Sequence, residues 1–324
     1  MLEPVFPEQT QVTKNCDSYK IGLAIFSYNR PQFLDDIYQR ILLLQLTNRY
    51  CFHLFNDGPK TIETREIKEV HNLTDSFSRS ISNFVITRRF ENLGLADSIH
   101  FGLDSVFKNH SKAIVLEDDI IPTRQFFETM DFYLEHFEFN PEIGSITGAN
   151  TTNFHPLERR DFLASRRHSS WGWATWSDRW LSIDWDWVKN EFLKDKSLVK
   201  KVKKVSPDLV QYAKAQEDGK IDSWATAMNI DFIKRNLMCI VPRRSLIKNI
   251  GFDGSGTHST NQNYQKKADG FILKENSELE LLYDFEESSI YNFLVMKENS
   301  LLRDFPKGSI LRLLLKIRFL LLRS

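Results

Sequence analysis

Three adjacent carboxylates, Glu117, Asp118 and Asp119, directly follow the apolar run Ala113 to Leu116 and are followed in turn by Ile120, Ile121 and Pro122. Carboxylates this close repel one another, and at the end of a buried strand they cost free energy unless a cation or a set of donors compensates. Their hard oxygens suit Mg2+ or Mn2+, ions that keep open positions for phosphate oxygens, so a bridged diphosphate is the expected ligand. Within a strand, Glu117 and Asp119 would point one way and Asp118 the other. A solvated acidic turn would use the same letters. A second acidic group, Glu217, Asp218 and Asp222, lies about a hundred residues further along and could supply a base from a separate segment. For Asp222 the competing role is the N-cap of the helix that follows it.

The elements that must position these groups are legible in the hydrophobic periodicity. The run "YKIGLAIFSYNRP" (Tyr19 to Pro31) reads as a strand, a turn at Asn29 and a helix opened by Pro31, with Leu34, Ile37, Ile41 and Leu44 at helical spacing. The pattern repeats three times. "YCFHLFNDG" leads into the helix within "TIETREIKEVHNLTDSFSRS", "NFVITRR" into "LGLADSIHFGLDSVFKN", and "KAIVLEDD" into "TRQFFETMDFYLEHF". Strands alternating with helices predict an α/β fold with a mainly parallel sheet covered on both faces. Ligands of such sheets bind beyond the carboxyl ends of the strands, where Asn29, Arg30, Asp57, Arg88, Arg89 and the acidic triplet all fall.

From "GSITGAN" (Gly144 to Asn150) onward the alternation fades. Six of the seven tryptophans lie between His168 and Trp187, "KDKSLVKKVKK" reads as a basic solvated helix, "DSWATAMNIDFIKRN" as a helix, "MCIVPRRSLI" as a strand, and "NIGFDGSGTHST" as a glycine-rich loop. The expected organisation is an N-terminal extension (1–18), a regular strand–helix half (19–150), a less regular half of the same domain (151–300) and a basic amphipathic tail (301–324). That tail, "GSILRLLLKIRFLLLRS", carries too many charges to span a bilayer; it suits either a peripheral helix on anionic lipid or a helix packed on the domain or on another subunit.

The 324 residues, 41% of them hydrophobic, can furnish a substantial core. With 43 basic and 43 acidic residues the chain has no global field for nucleic acid. Its three cysteines, Cys16, Cys51 and Cys239, are far apart and odd in number, so neither a disulfide framework nor a CxxC metal site is expected, and a reducing, cytoplasmic setting is. The N-terminal residues show no basic segment followed by an apolar run, so no secretion signal is expected.

"IGLAIFSYNRP", "FNDG", "NLGLADS" and "VLEDDIIPT", in this order and spacing, resemble the GT-A glycosyltransferases, in particular bacterial family 2-like enzymes and the eukaryotic N-acetylglucosaminyltransferases that open complex N-glycan branching, whose acidic motif is also Glu-Asp-Asp. "SSWGWATWSDRW", "IDSWATAMN" and "NIGFDGSGTH" resemble acceptor-side signatures of the bacterial enzymes. The resemblance spans about residues 19 to 262. It implies a GT-A, Rossmann-like sheet and a metal-dependent, inverting transfer from a nucleotide-sugar, most simply a UDP-sugar, to a glycan or glycolipid acceptor in surface polysaccharide or lipopolysaccharide synthesis; the cysteine content and the basic tail add a cytoplasmic setting open to peripheral contact with the inner face of the membrane.

Carried over residue by residue, the resemblance places Asn29, Arg30 and Asp57 on the nucleotide, Arg88 or Arg89 near the base or diphosphate, and Gly94 and Ser98 at the helix start facing the nucleotide-sugar. Asp119 would touch the Mn2+ or Mg2+, with Glu117 on the ribose or on the groups that surround the metal ligands, and Asp118 on the donor sugar or a metal-bound water. His258 would be a second metal or diphosphate ligand. Asp222 matches the segment holding the base in the eukaryotic relatives, and Glu217 with Asp218 the pair supplying it in many family 2 enzymes. Trp171, Gly172 and Trp173 would line the acceptor side, although a core role for any single tryptophan is equally open. Two rival readings remain: a sugar-1-phosphate nucleotidyltransferase, against which the glycine-free "SYNRPQF" argues, and a non-catalytic nucleotide-sugar-binding subunit.

Overall fold

The structure, a computed structural model, describes residues 8–13, 16–150 and 160–251. The repeating strand–helix pattern is realised as β1 (Glu8–Val12), β2 (Ile21–Ser27), α1 (Pro31–Leu43), β3 (Cys51–Asn56), α2 (Arg65–Ser78), β4 (Phe84–Arg89), α3 (Gly94–Val106), β5 (Lys112–Glu117), β6 (Ile120–Pro122) and α4 (Arg124–His136). Beyond it follow β7 (Ile143–Thr147), β8 (Phe162–Ser165), β9 (Trp173–Trp176), α5 (Ser177–Leu181), α6 (Trp185–Asn190), α7 (Lys196–Val205), α8 (Pro207–Glu217), α9 (Trp224–Arg235), β10 (Met238–Pro242) and β11 (Ile247–Asn249).

One nine-stranded sheet runs in the order β1-β4-β3-β2-β5-β9-β7-β10-β8, and β6 and β11 form a separate antiparallel ribbon. The four strands β4-β3-β2-β5 are mutually parallel, so the α/β, Rossmann-like expectation holds. Chain order reverses between β2 and β5, which makes the gap beyond their carboxyl ends a topological switch point. Alternate residues feed opposite faces: Leu23, Ile25, Ile114 and Leu116 pack with α1, α2 and α4, while Ala24, Phe26, Ala113 and Val115 pack with α3 and α9. A further cluster joins α6, α7 and α8 to the outer side of α9.

Cysteine pairing departs from the sequence reading. Cys16, in a short 3-10 turn, and Cys51, the first residue of β3, form a disulfide with their Cα atoms 5.1 Å apart, and Cys239 is buried and free. A sequence separation of 35 hid the pairing from sequence, because it depends on β1 and the turn folding back along the sheet. No helix among the described residues is long and apolar enough to cross a membrane. The basic tail 301–324 and His258 lie outside the described residues.

Candidate active site

Arg30 stands at the N-cap of α1, but its side chain makes no capping bond. It reaches across the switch point instead: one guanidinium nitrogen donates to Asp118 Oδ1 and the other to Asp119 Oδ2 at 3.1 Å. The first turn of α1 therefore holds the counterion of the acidic triplet.

One arginine does not neutralise three carboxylates. Burial, with Asp119 and Asp118 alongside, pushes Glu117 up to about 8, Arg30 pulling it only partly back. Burial likewise pushes Asp118 up to about 7 against the opposing pull of Arg30. Asp118 also accepts from the Tyr28 backbone N–H. The surplus of hard oxygen donors beside excess negative charge fits a divalent cation of the Mg2+ or Mn2+ type.

Asp119 is gripped from the far side by the end of the β6–β11 ribbon. The Ile250 N–H donates to the Asp119 carbonyl at 2.9 Å, and a Cβ on Gly251 would lie 2.1 Å from Asp119 Oδ2. Only glycine lets the backbone pass this close to the carboxylate. Gly251 thus belongs to the site, although as part of a glycine-rich loop it was indistinguishable from an ordinary turn residue.

Asp57, which the resemblance places on the nucleotide, is held by neighbouring donors at the end of β3. Its Oδ1 accepts from the backbone N–H groups of Gly58 and Leu93, both at 3.0 Å, and its Oδ2 from Asn92 Nδ2 at 2.8 Å and the Gly94 N–H at 3.2 Å. Burial raises its pKa, and those donors oppose the rise. Asp57 thereby ties the end of β3 to the first turn of α3.

At that first turn Gly94 takes φ +77°, and a Cβ on it would lie 3.9 Å from Asp222 Oδ2. The segment before α9 therefore brings Asp222, an exposed residue, to the start of α3. The N-cap role considered for Asp222 belongs to Ser223, whose Oγ accepts from the Thr226 N–H at 3.3 Å. Ser98, one turn into α3, is buried, and its hydroxyl has no partner among the described residues.

Other candidates are placed elsewhere. Glu217 ends α8 in a crevice with Val188, Ala213 and Ile230, against the outer side of α9, and Asp218 pairs with Lys220 at 2.7 Å in solvent. Arg88 turns to α2, donating to Asp75 at 2.6 Å, so it does not face the switch point. Its neighbour Arg89 points the opposite way and pairs with Glu8 at 3.0 Å. Trp173 is 0% exposed, its ring stacked 5.0 Å from that of Trp224, and so offers no platform to an acceptor. Gly172, at φ +59°, accepts at its carbonyl from the N–H of Gly148, just beyond β7, whereas Trp171 is half-buried against the core. Asn29 is exposed at the lip beside Arg30.

No protein-family model matches the chain, and no curated protein matches it. Among solved structures, a mannosyltransferase, PcManGT from Pyrobaculum calidifontis, in complex with GDP-Man and Mn2+, aligns at 10% identity and TM-score 0.34 over 49% of this chain and 45% of that one. TarS (residues 1–349) of S. aureus aligns at 8% identity and TM-score 0.33 over 48% of this chain and 47% of that one. The chain thus spans less than half the length of either structure. Likenesses at this level add nothing to what the sheet topology already shows.

Proposed function

We propose that the chain is a glycosyltransferase that moves a sugar from a nucleotide-sugar to a hydroxyl of a glycan or glycolipid. The observation that carries this reading is that charged groups from distant segments stand at the carboxyl ends of the parallel strands of one sheet. Asp118 and Asp119, with Arg30, occupy the switch point, and Asp222, from a distant segment, stands at the start of α3. A diphosphate leaving group needs positive charge on one side of the transferred sugar, and the attacking hydroxyl needs a base on the other. Such a layout suits inversion, with Asp222 taking the acceptor proton.

Asp119 and Asp118 are the residues that would hold Mn2+ or Mg2+, which would supply Lewis-acid stabilisation of the departing diphosphate. Arg30 and the N-terminus of α1 add fixed positive charge there, and Asp57 keeps Gly94 and the α3 N-terminus in place for the donor. A UDP-linked hexose or N-acetylhexosamine as donor and a surface-polysaccharide acceptor rest on the sequence resemblance alone, and peripheral attachment at the inner membrane face through residues 301–324 rests on the basic amphipathic composition of that tail.

The test is a panel of nucleoside diphosphates and their sugars, with and without Mn2+, scored by thermal shift and by release of nucleoside diphosphate. Wild-type protein is expected to bind one donor in a cation-dependent way and Asp119→Asn to lose that dependence while keeping its far-ultraviolet circular dichroism. Pyrophosphate released from a nucleoside triphosphate and a sugar 1-phosphate would instead identify a nucleotidyltransferase. Binding without turnover across a broad acceptor panel would identify a non-catalytic subunit.

A further inference from the structure

At the opposite edge of the sheet, where the parallel strands begin, the Cys16–Cys51 disulfide is accompanied by two buried imidazoles that the bond itself does not need. Cys51 and His53 lie two apart on β3 and so share a face; Cys51 Sγ is 3.5 Å from His53 Nε2. His110, just before β5, brings its ring to 5.0 Å from that of His53, edge to face. One ligand atom from each of Cys51, His53 and His110 lies within 4.8 Å of the others, and all four side chains are at most 3% exposed.

Two observations go beyond proximity. A Cβ on Gly22 of β2 would lie 2.7 Å from Val106 Cγ1, 3.1 Å from His110 Cδ2 and 3.3 Å from His53 Cδ2, so the strand leaves out a side chain where Val106 and both rings sit. His110 Nδ1 is 2.7 Å from the Tyr19 carbonyl, a contact that places the proton on Nδ1 and leaves Nε2 as a lone-pair donor. Backbone carbonyls fix metal-binding histidines in this way. His53 Nδ1 has no hydrogen-bond partner among the described residues, although the ring is 1% exposed. Two thiolates and two imidazoles make a closed set for zinc, whose bonds of about 2.0–2.3 Å separate tetrahedral ligands by about 3.5 Å. The set suits neither Mn2+ nor Mg2+.

We infer that the dithiol form of this chain binds one zinc ion through Cys16, Cys51, His53 and His110, so that the same four side chains form a disulfide when oxidised and a structural metal centre when reduced. Opening the disulfide takes two electrons from a thiol or phosphine reductant and two protons, which a thiol reductant supplies itself. With a phosphine, water supplies the oxygen of the phosphine oxide and the protons of the two thiols. Zinc then displaces both thiol protons to solution. The inference is independent of the glycosyl-transfer reading, since no residue is shared with the acidic triplet.

The full chain is reduced with a water-soluble phosphine, freed of excess reductant, checked for three titratable thiols and titrated with Co2+. A thiolate-to-cobalt charge-transfer band is expected at one equivalent, bleached by one equivalent of Zn2+. The untreated disulfide form should show no such band, and carboxylates at the other edge cannot produce one. Asp119→Asn should leave the band intact, while His53→Gln and Cys16→Ser should each weaken cobalt binding by about 10- to 100-fold. Reduced wild-type protein that is folded and has its thiols free, yet gives no band and takes up zinc no more tightly than the disulfide form, would overturn the inference.

Discussion

At the residue scale the site is a matter of unequal charge. The triplet was legible because its three letters are adjacent and follow an apolar strand, and Arg30 because it ends the turn after β2. The role of Arg88 was not legible: Arg88 and Arg89 leave opposite faces of β4, and only the register of that strand decides which meets α2. Trp173 was ambiguous for the same reason, since a tryptophan in an apolar run reads alike whether it faces the core or a sugar. Four substitutions test these roles. Asp222→Asn should lower turnover by about 100-fold or more with donor affinity retained, whereas Glu217→Gln and Asp218→Asn should leave turnover unchanged; steady-state kinetics separates them. Gly251→Ala, by forcing the Asp119 carboxylate from its place, should weaken cation binding by about tenfold, read by titration calorimetry.

At the scale of elements, periodicity sufficed for β2, β3, β4, β5 and the helices α1 to α4, because those strands are linked by helical crossovers into one parallel sheet, but not for β6, which pairs antiparallel with the distant β11. It did not suffice beyond residue 144, where β9 inserts antiparallel between β5 and β7 and β8 adds to the far edge through β10. Those pairings are long in sequence and carry no local signal. The helix start after Asp222 shows the limit more finely: an Asp-Ser pair offers two caps, and the structure uses the serine. Ser223→Ala should therefore cost about 1 kcal/mol of stability in chemical denaturation, while Asp222→Asn should cost little. Gly102 lets α3 lie close to the sheet, since a Cβ there would be 2.5 Å from Phe26 Cε1. Gly102→Ala should destabilise by about 1–3 kcal/mol despite alanine's better helix propensity, with the melting temperature as readout.

At the scale of the whole molecule, buried histidines and buried carboxylates oppose one another in pH. Burial lowers His53 to about 3, with His110 adding to the shift, and lowers His168 to about 3, with Arg167 adding. Both stay neutral in the folded chain, so their contribution is full above about pH 6.5 and is lost as pH falls towards 3, at up to about 1.4 kcal/mol per pH unit for each. Glu117 and Asp118 act in the other sense. Their folded values, about 8 and about 7, exceed the ordinary 4.5 and 3.8, so the stability they contribute is full below about pH 4 and is lost as pH rises through 7 to 8. Melting temperatures without added cation should peak at mildly acidic pH, and Mn2+ should raise them more at about pH 8 than at about pH 5.5.

The guanidinium lying astride Asp118 and Asp119 has a bearing on the protein's life before it meets any ligand. A chain carrying its own counterion need not wait for a mineral supply to complete its sheet. A chelator should silence it reversibly rather than denature it, leaving a dormant pool that revives within one mixing time once the ion is restored.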